Sequence, residues 1–131
     1  MLKKIAIVVG VVFVLIGILG FVPGITSTHA DGGKYLLGIF LIDGVENVIH
    51  ILTGLVALAA GYTSEKSSRM FFLAFGAVYA LVTIIGFVQG DTVLGIFDVN
   101  TADNFLHLAL AAAFLGIGLT AKPDDSVAMT V

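Results

Sequence analysis

Two short elements hold the residues of this chain best placed to do chemistry: Glu46-Asn47-x-x-His50 and Asp103-Asn104-x-x-His107. In each, an acid stands four residues before a histidine, so on a helix both side chains share one face. Three uses follow from those residue types. Asp43-x-x-Glu46 and Asn100-x-x-Asp103 have the form of capping boxes, which would satisfy free amides at two helix starts. The asparagines would then bridge helices, and each neutral histidine would hydrogen-bond to a neighbour. Alternatively, His50 and His107 face each other and hold a metal or a haem iron, with Glu46 and Asp103 as ligands or orienting groups. The spacing differs from the Glu-x-x-His pair of di-iron bundles. Lastly, the cluster forms a proton or ligand pocket open to the exterior. The capping role is the expectation carried forward. No nucleophile with a positioned base is apparent, and Ser and Thr concentrate in loops, so no catalytic residue and no enzyme activity are expected. His29, between Thr28 and Ala30, reads as solvent-exposed.

The elements that position these groups follow from composition. Of 131 residues, 59% are hydrophobic and only 11% charged, with a mean hydropathy of +1.13. Soluble domains run near a quarter charged, so this chain cannot cover a globule with polar surface. Cysteine is absent, which excludes disulfides, thiolate metal sites and cysteine nucleophiles. Four apolar stretches meet the length of roughly 20 residues that a membrane-crossing helix needs. They run from about Ile5 to Val22, Gly44 to Tyr62, Met70 to Val88 and Thr101 to Thr120. Helices are required there, since isolated strands would leave backbone groups unpaired in lipid. Lys3 and Lys4 before the first span resemble the start of a signal peptide, but the apolar run exceeds the usual length of about 7–15 residues. The first span is therefore expected to be retained. The fold expected is all-α: an integral membrane four-helix bundle in one domain, 1–131.

An internal repeat orders the spans. Leu-Gly-Ile-Phe at 37–40 recurs at 94–97, an offset of 57 that also pairs Asp43 with Asn100, Glu46 with Asp103, Asn47 with Asn104 and His50 with His107. Upstream the offset becomes 66, pairing Gly20-Phe21-Val22-Pro23-Gly24 with Gly86-Phe87-Val88-Gln89-Gly90, so the first external loop is nine residues longer. Repeat one covers about 5–62 and repeat two about 70–120. Each holds two spans, so both copies insert the same way up, related by a pseudo-twofold axis along the membrane normal. Lys3, Lys4, Lys66, Arg69 and Lys122 share one side, against Lys34 alone on the other. That bias predicts cytoplasmic N and C termini in the inner membrane, with Pro123 to Val131 as a short disordered cytoplasmic tail.

Small residues mark the inward seams. Gly10, Phe13, Gly17, Gly20 and Gly24 step along one face of span one, and Gly76, Tyr79, Thr83, Gly86 and Gly90 occupy the matching positions of span three. Span two has Asn47, His50, Gly54, Ala57 and Gly61; span four has Asn104, His107, Ala111, Phe114 and Gly118. Such seams let membrane helices approach closely, so the glycines read as packing surfaces that need no cofactor. Short apolar runs at Tyr35–Ile42 and Val93–Phe97 are too short to cross the bilayer and are expected at the interface or over the outer mouth of the bundle.

Gly-Phe-Val-Pro-Gly closing span one, Leu-Gly-Ile-Phe, Glu-Asn-x-x-His-x-x-x-Gly opening span two and Ala-Asp-Asn-x-x-His opening span four together resemble the bacterial membrane proteins grouped as Domain of Unknown Function 4383. The resemblance runs from about Ile5 to Leu119. It implies a four-helix membrane protein with no assigned activity, and it would place a His-Asn-type pair where this chain has Glu46-Asn47. The expected role is a structural or interaction component, alone as a homo-oligomer or within a larger membrane complex. The expected partners are the lipid bilayer and other membrane proteins, with no nucleic acid. The rival reading is a haem-, metal- or proton-binding membrane protein built on the two acidic-Asn-x-x-His elements.

Overall fold

Long apolar runs broken by short polar segments become four α-helices in the computed structural model, which describes residues 1–122. They are α1 (Leu2–Leu19), α2 (Gly44–Thr63), α3 (Glu65–Gln89) and α4 (Thr101–Thr120). Each is long and apolar enough to cross a membrane, as expected of a multi-pass membrane protein. The predicted tail, Pro123 to Val131, lies outside the described residues. α3 begins five residues before the predicted Met70, because Ser64 ends α2 and starts α3 at once. Its N–H donates to the Ala60 carbonyl at 3.2 Å, and its hydroxyl accepts from the Ser67 N–H at 2.9 Å, so the polar segment between the spans needs one non-helical residue.

Between apolar helices in lipid there is little hydrophobic gain, so close packing and internal hydrogen bonds must hold the bundle. α1 and α2 run antiparallel on glycine. A Cβ on Gly10 would lie 2.8 Å from the Gly54 carbonyl oxygen, and one on Gly54 would lie 2.7 Å from the Gly10 oxygen. Gly17 meets Asn47 and Ile51, and Gly61 meets Lys3 and Ile7. α3 and α4 also pack on glycine, but Gly76 and Gly118 meet the side chains of Leu115 and Leu73 first rather than facing carbonyl oxygens. Asparagine completes each seam, because Asn47 lies over Gly20 and Asn104 over Gly86 where a Cβ would collide with the amide. Gly24 and Gly90 depart from the expected seams. Both are exposed, with φ of +100° and +92°, since the helices have already ended and the chain turns there through a conformation that favours glycine.

The bundle centre holds Phe13, Phe71, Phe72, Tyr79, Ala57, Ala111 and Phe114. At one end sit Met1, Ser64 and Thr120. There the Met1 ammonium pairs with Glu65, Arg69 Nε donates to the Gly118 carbonyl at 2.9 Å, and the buried Ser68 hydroxyl donates to the Ser64 carbonyl at 2.9 Å.

The opposite end carries, beside the four helices, two small antiparallel sheets. β1 (Thr26–Thr28), β2 (Lys34–Leu36) and β3 (Phe40–Ile42) form one; β4 (Thr92–Val93) and β5 (Phe97–Asp98) form the other. The recurring Leu-Gly-Ile-Phe is the turn of both hairpins. Ile39 N–H donates to Leu36 O and Ile96 N–H to Val93 O, with φ of 55° and 71° at Leu37 and Gly38, and 53° and 68° at Leu94 and Gly95. Positive φ at both central positions is the tight hairpin turn whose twist matches that of the strands. The nine extra residues of the first loop supply β1 and its turn, where His29 stacks on Tyr35 with ring centres 4.0 Å apart. His29 is exposed there, as its sequence context suggests.

Candidate functional site

Beneath the two sheets, α2 and α4 begin side by side, and their first turns differ in a decisive way. At α4 the capping box is complete. Asn100 Oδ1 accepts from the Asp103 N–H at 2.9 Å, and Asp103 Oδ2 accepts from the Asn100 N–H at 2.8 Å. At α2 only half of it forms. Asp43 Oδ1 accepts from the Glu46 N–H at 2.8 Å, but Glu46 gives nothing back. Asp43 uses its other oxygen to accept from the Asp98 N–H at 2.8 Å, and Asn100 reciprocates across the mouth by donating from Nδ2 to the Ile39 carbonyl at 2.8 Å. These two bonds tie each helix start to the opposite hairpin.

Released from capping, the Glu46 carboxylate turns into the bundle. Its Oε1 lies 3.6 Å from Nε2 of His107 and 4.0 Å from Nε2 of His50. One donor atom from each of Glu46, His50 and His107 falls within 4.8 Å of the others. All three residues are buried, at 3%, 9% and 2% exposure. Aromatic rings fix the imidazoles: Phe13 meets His50 edge-on at 5.7 Å, and Tyr79 lies tilted against His107 at 5.6 Å. Glu46 Oε2 and both Nδ1 atoms are enclosed without a hydrogen-bond partner. Asn104 Oδ1, over Gly86, is enclosed in the same way, and an unpartnered buried polar atom costs free energy on the order of 1–3 kcal/mol.

The structure therefore brings together three of the four residues proposed from sequence as metal ligands and keeps Asp103 at the α4 cap. Asn47 and Asn104 serve helix packing, beside the cluster. Haem fits badly: a porphyrin ligated by both histidines must pass between the imidazoles, and the Glu46 carboxylate occupies that space.

Two grooves of about 270 Å³ flank the cluster. One lies between α2 and α3 under the β4–β5 hairpin and is lined by Glu46, His50 and His107 together with Val82, Ile85 and Leu94. The other lies between α1 and α4 under the three-stranded sheet and is lined by Glu46, His50 and Asp103 with Ile16, Leu19 and Leu37. Val82, Ile85 and Leu94 of the first groove stand at offsets of 66, 66 and 57 from Ile16, Leu19 and Leu37 of the second. Only the first groove touches all three clustered donors. Neither groove was legible in the sequence, because each is assembled from two helices and a hairpin whose separation the spacing does not give.

The family described as Domain of unknown function (DUF4383) matches residues 3–120. The chain belongs to this family. Its description assigns no activity. No curated protein and no solved structure matches the chain. For this DUF4383 member the match takes in all four helices, both sheets and every residue of the cluster, so the site lies wholly within the family region.

Proposed function

We propose that this protein is a structural or interaction component of the bacterial inner membrane, associating with a second copy or with a larger membrane complex through the outward face of α4. The observation that supports this is a small-residue seam left open. Ala109, Ala113, Gly116 and Thr120 follow steps of four, three and four along α4, and all are exposed. Among the described residues, Gly116 is the helical glycine whose added Cβ would meet nothing within 4 Å; the other helical glycines face a neighbour. The matching positions on α2 are Leu52, Val56, Ala59 and Thr63, a bulkier face of the kind that suits lipid. Small residues facing outward favour a helix partner, because they let backbones approach closely. The same reading takes the two hairpins as copies of one duplicated unit inserted in parallel. The excess of basic residues at the Met1 end supports cytoplasmic termini.

The absence of native cysteine makes the test direct. A Gly116→Cys variant in native membranes should cross-link to a partner band, whereas Val56→Cys on the equivalent face of α2 should not. Gly116→Leu should abolish the higher-mass species in blue-native gels while leaving the fold intact. A protein that stays monomeric and uncross-linked at Gly116 would overturn the assignment.

A further inference from the structure

We propose that Glu46, His50 and His107 form a three-ligand site for a divalent transition metal ion of the zinc class, with its fourth position open to the groove between α2 and α3. Two imidazoles and one carboxylate are the donor set of open zinc sites, which take three protein ligands and leave one position for water or another ligand. Hard cations such as calcium and magnesium are disfavoured, since they require six or more oxygen ligands or retain most of their water. The nitrogen donors select the later first-row ions instead.

Geometry supports the assignment. Zinc–ligand bonds of about 2.0–2.2 Å place tetrahedral donors roughly 3.4 Å apart. Glu46 Oε1 already stands 3.6 Å and 4.0 Å from the two Nε2 atoms, and the widest separation in the trio is 4.8 Å or less. Closure therefore needs side-chain movement on the order of 1 Å and no change in helix position. Phe13 and Tyr79 hold the two imidazoles from behind. Among the described residues, Glu46 Oε1 and both Nε2 atoms make no hydrogen bond to the rest of the protein closer than their mutual contacts, and the second carboxylate oxygen, Oε2, is buried beside them without a protein partner, where it could join Oε1 on the ion. Charge favours the entry of a cation, because Asp43, Asp91 and Asp98 stand at this end of the bundle around the hairpins. The groove that touches all three donors gives the ion its path and the fourth ligand its place. Its pseudo-symmetric counterpart lacks His107 and has the cap residue Asp103 instead, so one site per chain is expected.

The test uses the full-length protein in detergent, with any affinity tag removed, titrated with Co²⁺ as the spectroscopic probe and with Zn²⁺ in competition. The wild type should bind one Co²⁺ per chain with a ligand-field band in the visible that Zn²⁺ abolishes. Glu46→Gln and His107→Gln should each weaken binding at least about tenfold. His29→Gln, which removes the exposed loop imidazole, and Asp103→Asn, which alters the cap, should both bind within about twofold of wild type. No visible band in folded wild-type protein would overturn the proposal. So would binding that survives both Glu46→Gln and His107→Gln, or that is lost in His29→Gln. Oligomeric state does not enter these readouts, so failure here leaves the α4 assembly reading standing, and the converse holds.

Discussion

The first hairpin, α1 with α2, closes on glycine backbone, whereas the second, α3 with α4, closes largely on aromatic rings. Gly10, Gly54 and Gly61 bring α1 and α2 within van der Waals contact of each other's carbonyl groups. At the positions matching Gly54 and Ala57, the second hairpin has Ala111 and Phe114, and Phe114 packs among Phe71, Phe72 and Tyr79. Hairpin one contributes a single phenylalanine, Phe13, to that ring cluster. A similar divergence separates the two acids, for Asp103 completes a cap while Glu46 enters the interior. Side-chain length accounts for it in part. Aspartate reaches back to its own helix start with little freedom, whereas glutamate has one more methylene and can extend to histidines on two helices. The two hairpins thus differ as a tight half and a filled half, and the Glu46–His50–His107 cluster lies where they meet.

Three measurements break or sharpen this contrast. The largest effect is expected at the glycine seam. Gly54→Leu forces a side chain against the Gly10 oxygen and Val14 backbone, both 2.7 Å from an added Cβ, and should destabilise the bundle by about 3 kcal/mol, the upper end for overpacking. Ala111→Leu, at a position already accommodating a Cβ, should cost roughly half as much by the same rule. Chemical unfolding in detergent reads both, and equal losses would erase the distinction between tight and filled hairpins.

Next come the two acids. Asp103→Ala removes half of a closed capping box and should cost about 1 kcal/mol. Glu46→Gln in metal-free protein should instead stabilise by about 1 kcal/mol, because it removes an incompletely partnered buried carboxylate. Opposite signs are the expectation, and a matched loss at both positions would show that Glu46 is structural in the same sense as Asp103.

The smallest effect concerns the longer first loop. Asp31 accepts from the Tyr35 hydroxyl and the Gly33 N–H, both at 2.8 Å, and these bonds hold its carboxyl below the ordinary aspartate range. A depressed folded value means the contribution is present at neutral pH and disappears as pH falls through that folded value. In a His29→Gln background, which removes the imidazole stacked on the ring, Tyr35 ring signals in NMR should therefore shift as the Asp31 carboxyl is protonated in acid, and that shift should vanish when Asp31→Asn is added. A shift that persists in Asp31→Asn would remove this loop from the comparison.

Much of the architecture was legible because lipid leaves the chain few choices. Spans, their lengths to within a few residues and the inward positions Gly10, Gly17, Gly20, Gly54, Gly61, Gly76, Gly86 and Gly118 follow from hydropathy and helical period, and all eight glycines are buried. The sheets were not legible, although the signal was present in the recurring Leu-Gly. The turn requires a leucine at positive φ in both copies, a conformation that costs roughly 1–2 kcal/mol for such a residue, and nothing in local propensity points to it. The cluster was half legible. The spacing put Glu46 on the face of His50 and Asp103 on the face of His107, but a symmetric pattern gives no reason for the two acids to part.

What the sequence determined alone is the set of constraints that act along one chain: apolar length, helical phase, the cap residues and the lack of thiols. The tertiary structure decided which polar groups were satisfied locally and which were left to meet across helices. That choice depends on distances of a few tenths of an ångström between elements distant in sequence, here Glu46 on α2 and His107 on α4. Periodicity fixes the face on which a side chain stands, but only packing fixes what stands opposite it.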